Sequence, residues 1–211
     1  PVNKLSSENV KYVTPGTFRR PPTPFQDPTM RPTRLRPLAA LCAAALALSG
    51  TAGAQVVISQ VYGGGGNSGA PLRNDFIELY NAGPTAISLA TYSVQYASST
   101  GSTWNRTNLT GTLQPGQYYL VQQAAGTNTA AAVLPTPDAI GTIAMSGTAG
   151  KVALVSSQVT LTGTCPGAAD GVLDFVGFGG ANCSETAPTA ALSNTTAAIR
   201  KAAGCTDSGN N

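Results

Sequence analysis

From Val56 onward the apolar residues of this chain gather into short runs set apart by Gly, Pro and Asn, and within the runs they recur with a period of two. Val56 to Tyr62 is the first run. Asp75 to Tyr80 follows, with Phe76, Glu78 and Tyr80 on one face and Ile77 and Leu79 on the other. In Tyr92 to Tyr96, Tyr92, Val94 and Tyr96 alternate with Ser93 and Gln95, the pattern of a half-buried strand. Tyr118 to Val121, Ile140 to Met145, Lys151 to Val155 and Val172 to Val176 complete the series, with Ala197 to Arg200 a weaker last candidate. Turn signals fall at Ala82-Gly83-Pro84, Pro115-Gly116, Thr148-Ala149-Gly150 and Gly179-Gly180, and helical periodicity is not sustained anywhere in this part. About eight short strands at such spacing predict an all-β sandwich of two packed sheets.

The segment before these strands reads differently. From Met30, three arginines (Arg31, Arg34 and Arg36) precede an apolar run from Leu38 to Leu48 and then Ala52-Gly53-Ala54, the order of a bacterial secretory signal peptide over residues 30–54. The run is about half the roughly 20 residues needed to cross a hydrocarbon core. No later stretch is more apolar, so the mature protein is expected to have no transmembrane segment and to be secreted or periplasmic, extracellular in its mature form. Residues 1–29 are rich in Pro, Thr and Arg and stand before a Met that opens the signal sequence, so they are expected to be an upstream or disordered segment. Residues 55–200 then form one domain, and 201–211 a linker toward a further domain.

That division changes the charge. The formal +3 of the whole chain belongs mostly to residues 1–54; from Gln55 onward five Lys and Arg stand against seven Asp and Glu, so 5 minus 7 gives −2. Only Arg200 and Lys201 are adjacent cations, and no direct nucleic-acid binding is expected without a clustered basic face.

Four cysteines occur, and Cys42 falls in the leader, which leaves Cys165, Cys183 and Cys205 in an oxidising compartment. Three pairings are open. Cys165 and Cys183 are favoured because they bracket a single apolar segment, Val172 to Phe178, whose flanking loops can bring its ends together; Cys205 then pairs beyond Asn211 or stays free. Zinc is disfavoured, since the chain has no His and no close cysteine spacing.

Four motifs in order carry a family resemblance. Val56-Val57-Ile58-Ser59-Gln60-Val61-Tyr62, a Gly-rich loop and Asn74-Asp75-Phe76-Ile77-Glu78-Leu79-Tyr80-Asn81 resemble the opening of a bacterial lamin tail domain, and Gly83, Leu89 and Tyr92-Ser93-Val94 fill the turn and next strand. Leu113-Gln114-Pro115-Gly116-Gln117-Tyr118-Tyr119-Leu120-Val121 and Lys151-Val152-Ala153-Leu154-Val155 resemble two later strands of that family. The resemblance runs from about Val56 to Arg200 and implies an immunoglobulin-like β-sandwich. In bacteria this domain often stands at the front of secreted nucleases, and the stretch from Ala198 to Asn211 resembles the segment leading to their catalytic domain. The implied role is a non-catalytic accessory or binding domain, N-terminal in an extracellular DNA endonuclease, with the downstream catalytic domain as its partner. The alternative is a free-standing surface or matrix protein that binds polysaccharide, protein or cell envelope.

The residues themselves offer little chemistry. With no His in the chain and its carboxylates scattered, neither acid–base hydrolysis nor a Ser-His-Asp arrangement can be assembled, so the segment is expected not to be an enzyme. Gly63-Gly64-Gly65-Gly66 is read as a flexible loop rather than a phosphate cradle, because no Lys-Ser or Lys-Thr and no helix follows it. Asp75 and Glu78 fall on opposite strand faces; Asp75 is expected to cap the Gly-rich loop and Glu78 to be solvated or bonded to a neighbouring loop. No cofactor or metal is expected, calcium on such oxygen-rich loops being the one ion considered. Trp104, Tyr118 and Tyr119 are the candidates for ligand contact, with Trp104 equally a loop anchor and Tyr118 and Tyr119 unable both to face the core.

Overall fold

Strict alternation would put Val56, Ile58, Gln60 and Tyr62 on one face, yet the core takes Val56, Ile58 and Val61. A β-bulge between Ile58 and Gln60 in the pairing with the next strand shifts the parity by one residue. The same bulge turns Ser59 and Gln60 to the outer face, where both reach Glu78.

The computed structural model describes residues 10–12 and 56–201. In chain order the strands are β1 (Val10–Tyr12), β2 (Val56–Tyr62), β3 (Asn74–Asn81), β4 (Ile87–Ser88), β5 (Ser93–Ser98), β6 (Asn105–Asn108), β7 (Thr112–Leu113), β8 (Tyr118–Ala125), β9 (Ala139–Ile140), β10 (Gly150–Val155), β11 (Val172–Phe178) and β12 (Thr196–Ile199). One sheet runs β1-β12-β2-β3-β8-β9 and the other β11-β10-β5-β6, with β4 and β7 as a small ribbon. Among the described strands only β8 and β9 pair in parallel. The fold is an immunoglobulin-like β-sandwich, and Ile77, Leu79, Val94, Tyr96, Val121, Val152, Leu154, Val176 and Phe178 fill the space between its sheets.

Both outer faces are covered as well. On the first sheet Tyr62, Phe76 and Leu120 pack with Leu72 and Leu134 from the loops. On the second, Ala153, Val155 and Phe175 pack with Trp104 and Leu161. Ser93 and Gln95, expected to face water, are buried there because the 157–161 segment lies over them: Ser93 Oγ donates to the Ser157 carbonyl, and Gln95 bonds Val159 and Leu161.

Two seams close the sandwich, each through a buried polar side chain. At one seam Gln123 Oε1 accepts from Thr107 Oγ1 on β6 and from the Ile143 amide. At the other, Asp174 Oδ2 on β11 accepts the Ile58 amide at 2.6 Å while Oδ1 meets the Arg200 guanidinium, whose Nε donates to the Ile58 carbonyl. Asp174 therefore fastens β11 to the β2 bulge across the sheets.

The structure departs from the sequence reading in its elements as well. The strand expected over Ile140 to Met145 stops at Ile140, because the Ile143 and Met145 amides are taken by the side chains of Gln123 and Asp75 rather than by a neighbouring strand. The unexpected β6, Asn-Arg-Thr-Asn, has no apolar alternation and is held by backbone pairing to β5. Within residues 1–29, set aside as upstream or disordered, Val10–Tyr12 pairs antiparallel with β12; the rest of that segment, the 30–54 leader and Cys205 lie outside the described residues.

The tetraglycine is a packed joint rather than a flexible loop. Its four residues are buried, and a Cβ on Gly65 would come within 2.0 Å of the Asn74 carbonyl carbon. Gly66 combines a φ of +64° with a gap of 2.4 Å to the Gly126 Cα, so no side chain fits. The Gly65 amide donates to Asp75 Oδ1, as expected for a carboxylate capping this loop.

Candidate functional site

Apart from the Asp174–Arg200 seam, the buried ionisable groups lie in two places. At one end of the first sheet, Asp75 is 4% exposed and accepts the amides of Gly65 and Met145 at 2.8 Å each. Burial pushes its carboxyl up to about 6 against those two hydrogen bonds. Burial, helped by the Asp75 charge, pushes the nearby Tyr62 hydroxyl up to about 12, and burial raises that of Tyr96 as well. Both Asp75 oxygens face N–H donors, an environment that repels a cation.

Glu78 corrects an expectation: it is not solvated but 3% exposed, and it bonds a strand rather than a loop, because the bulge brings Ser59 Oγ and Gln60 Nε2 to its Oε2 at 3.0 and 3.1 Å. Burial pushes its carboxyl up to about 7, against those hydrogen bonds. The folded value lies above the ordinary 4.5, so between them the folded chain holds more protons than the unfolded one and stability falls as pH rises from about 4.5 to about 7. Glu78→Gln keeps an acceptor and removes the charge. It is expected to stabilise the domain by about 2 kcal/mol at pH 8 and to leave it unchanged at pH 4. Urea midpoints at the two pH values check this, and equal shifts at both would count against it.

The second place is the outer side of the other sheet, around Lys151. Its Nζ donates to the Gly101 and Thr164 carbonyls, both at 2.7 Å, and to Asn182 Oδ1 at 3.0 Å, which uses all three protons. Burial lowers its pKa. The Trp104 ring lies 5.6 Å from the same Nζ. The Cys165–Cys183 disulfide, with a Cα separation of 5.6 Å, ties the two loops that carry Thr164 and Asn182. This is the pairing favoured from the bracketed strand.

Trp104, Tyr118 and Tyr119 are not brought together. Trp104 is 4% exposed, donates its indole N–H to the Gly163 carbonyl and sets its edge against Phe175, which makes it a loop anchor. Tyr119 faces the core and its hydroxyl donates to the Thr110 carbonyl. Tyr118 faces outward as its neighbour faces in, half-buried, with its ring 4.8 Å from that of Tyr80. Among the described residues no group of three or more His, Cys, Asp or Glu is placed to hold a metal ion, and no helix is long and apolar enough to cross a membrane.

The model of the lamin tail domain family matches residues 49–202. The chain belongs to that family. No curated protein matches the chain. The lamin tail assignment accounts for the sandwich and for a domain with no catalytic role of its own. Within it, the residues that sequence reasoning missed are Asp174, Arg200, Lys151 and Gln123, the buried polar groups that join elements far apart in the chain. The signal for Lys151 and Asp174 was a single charge inside an otherwise apolar strand; for Gln123 the neighbouring residues gave none.

Proposed function

We propose that this lamin tail domain is the non-catalytic accessory domain of an exported protein, placed before the catalytic domain of an extracellular, metal-dependent DNA endonuclease. The observation that carries the reading is that its buried carboxylates are committed to the fold: Asp75 to two amides, Glu78 to Ser59 and Gln60, Asp174 to Ile58 and Arg200. These carboxylates hold strands and loops together, and among the described residues they are not gathered with further ligands around one ion. The Cys165–Cys183 bridge supports export, because disulfides persist outside the cytoplasm, and the 30–54 leader pattern agrees. The stretch from Ala198 to Asn211 supports the nuclease parent through its resemblance to the segment preceding such catalytic domains.

The domain then acts by holding and presenting its neighbour. Reading the gene past the codon for Asn211 tests this: a following domain with clustered Asp, Glu, Asn and His is expected, and a stop codon or an unrelated domain there overturns the nuclease assignment. A free-standing binding protein is the second reading, favoured by the half-buried Tyr80–Tyr118 pair, the aromatic surface best placed to meet a sugar ring. Retention on immobilised polysaccharide that Tyr118→Ala abolishes would favour it.

A further inference from the structure

A sheet edge offers unpaired N–H and C=O groups to any passing strand, and proteins guard such edges with charge, Pro, very short strands or a covering segment. Three of the four edges of the two larger sheets are guarded. β6 carries Arg106, whose guanidinium donates to the Gln158 carbonyl and Thr160. β9 has two residues and follows Pro135 and Pro137. β11 is capped by the backbone of Thr189 at Gly177 and Gly179 and fastened to β2 by Asp174.

The fourth edge, β12, is Thr-Ala-Ala-Ile, with neither Pro nor charge. The cation that follows, Arg200, is turned inward onto Asp174. What covers this edge is β1, paired antiparallel as Val10 with Ala198, Lys11 with Ala197 and Tyr12 with Thr196. β1 precedes the Ala52-Gly53-Ala54 site at which the leader is expected to end.

We propose that leader removal uncovers β12 and that the exported domain pairs through this edge with β12 of a second copy. The inference rests on the export reading given above. An antiparallel strand already fits the edge, and antiparallel is the direction in which a strand pairs with itself about a twofold axis. Centred on Ala198, that axis sets Ala197 against Ile199 and Thr196 against Arg200, and brings no like charges together. Arg200 donates its amide to the Ser59 carbonyl on β2, so alternation points the Ala197 and Ile199 amides to the free edge. Four residues a side make a weak, reversible pair.

The test uses the chain as cells export it, its N-terminus read by mass spectrometry and its backbone by hydrogen exchange at low and high concentration. A chain starting at Gln55, with the Ala197 and Ile199 amides exchanging about tenfold more slowly at high concentration, is the expected result. Thr196→Lys, which places a cation on the edge, is expected to abolish that concentration dependence without moving the melting midpoint. Exchange equal at all concentrations in a chain starting at Gln55 overturns the pairing alone. A chain that keeps residues 1–54 overturns the pairing and the export reading together.

Discussion

Asp174→Ala is expected to destabilise the domain by about 3–5 kcal/mol, the cost of removing one partner of a buried ion pair. The carboxylate is 2% exposed and serves three partners: the Ile58 amide, its own neighbour Phe175's amide and the Arg200 guanidinium. Removing it orphans an amide inside the β2 bulge and takes from Arg200, with a side chain 8% exposed, the nearer of two carboxylate contacts, the other being Glu185 at 3.8 Å. The double variant Asp174→Ala with Arg200→Met is expected to recover part of the loss, because it removes both charges rather than one. Equilibrium urea unfolding of the three proteins measures this. A single variant within about 1 kcal/mol of wild type would show that the seam between the sheets does not depend on the pair.

Trp104→Ala is expected to cost about 3–5 kcal/mol, as truncation of a buried aromatic does. The indole fills the cluster over the outer face of the second sheet, and its removal also uncovers Lys151. Tyr118→Ala, at a half-buried position, is expected to cost less than half as much. Thermal denaturation compares the two, and an indifferent Trp104 variant would return that residue to the list of candidate ligand contacts.

The strands were legible wherever packing writes a period of two: Val56 to Tyr62 was read to the residue, and β3, β5, β8, β10, β11 and β12 to within a few positions at their ends. The fold failed to show where backbone alone does the pairing, as in β6, and where side chains replace a ladder, as between Gly141 and Met145. Sequence alternation also cannot say whether a polar face meets water or a covering loop. Ser93, Gln95 and Glu78 looked like solvent positions and are buried, because segments distant in the chain cover or bond them. The tetraglycine misled for a related reason: Gly is needed both where a chain must flex and where backbones must touch.

The same limit governs the site. Cys165 and Cys183 were legible because they flank one strand, whereas the seam joins Ile58 to Asp174 and Arg200, each more than a hundred positions further along. Trp104 could be read as an aromatic in a polar stretch, but its burial depends on Gly163 and Phe175, residues 59 and 71 positions further along, for which the local sequence holds no sign.

If the charged groups of this lamin tail domain serve its architecture, the segment spanning residues 55–211, purified by itself, should leave supercoiled DNA intact with magnesium, manganese or calcium present. Cleavage that survives purification to homogeneity and disappears in Glu78→Gln or Asp75→Asn would contradict it, since a bond-breaking site would then lie among the carboxylates assigned to the fold.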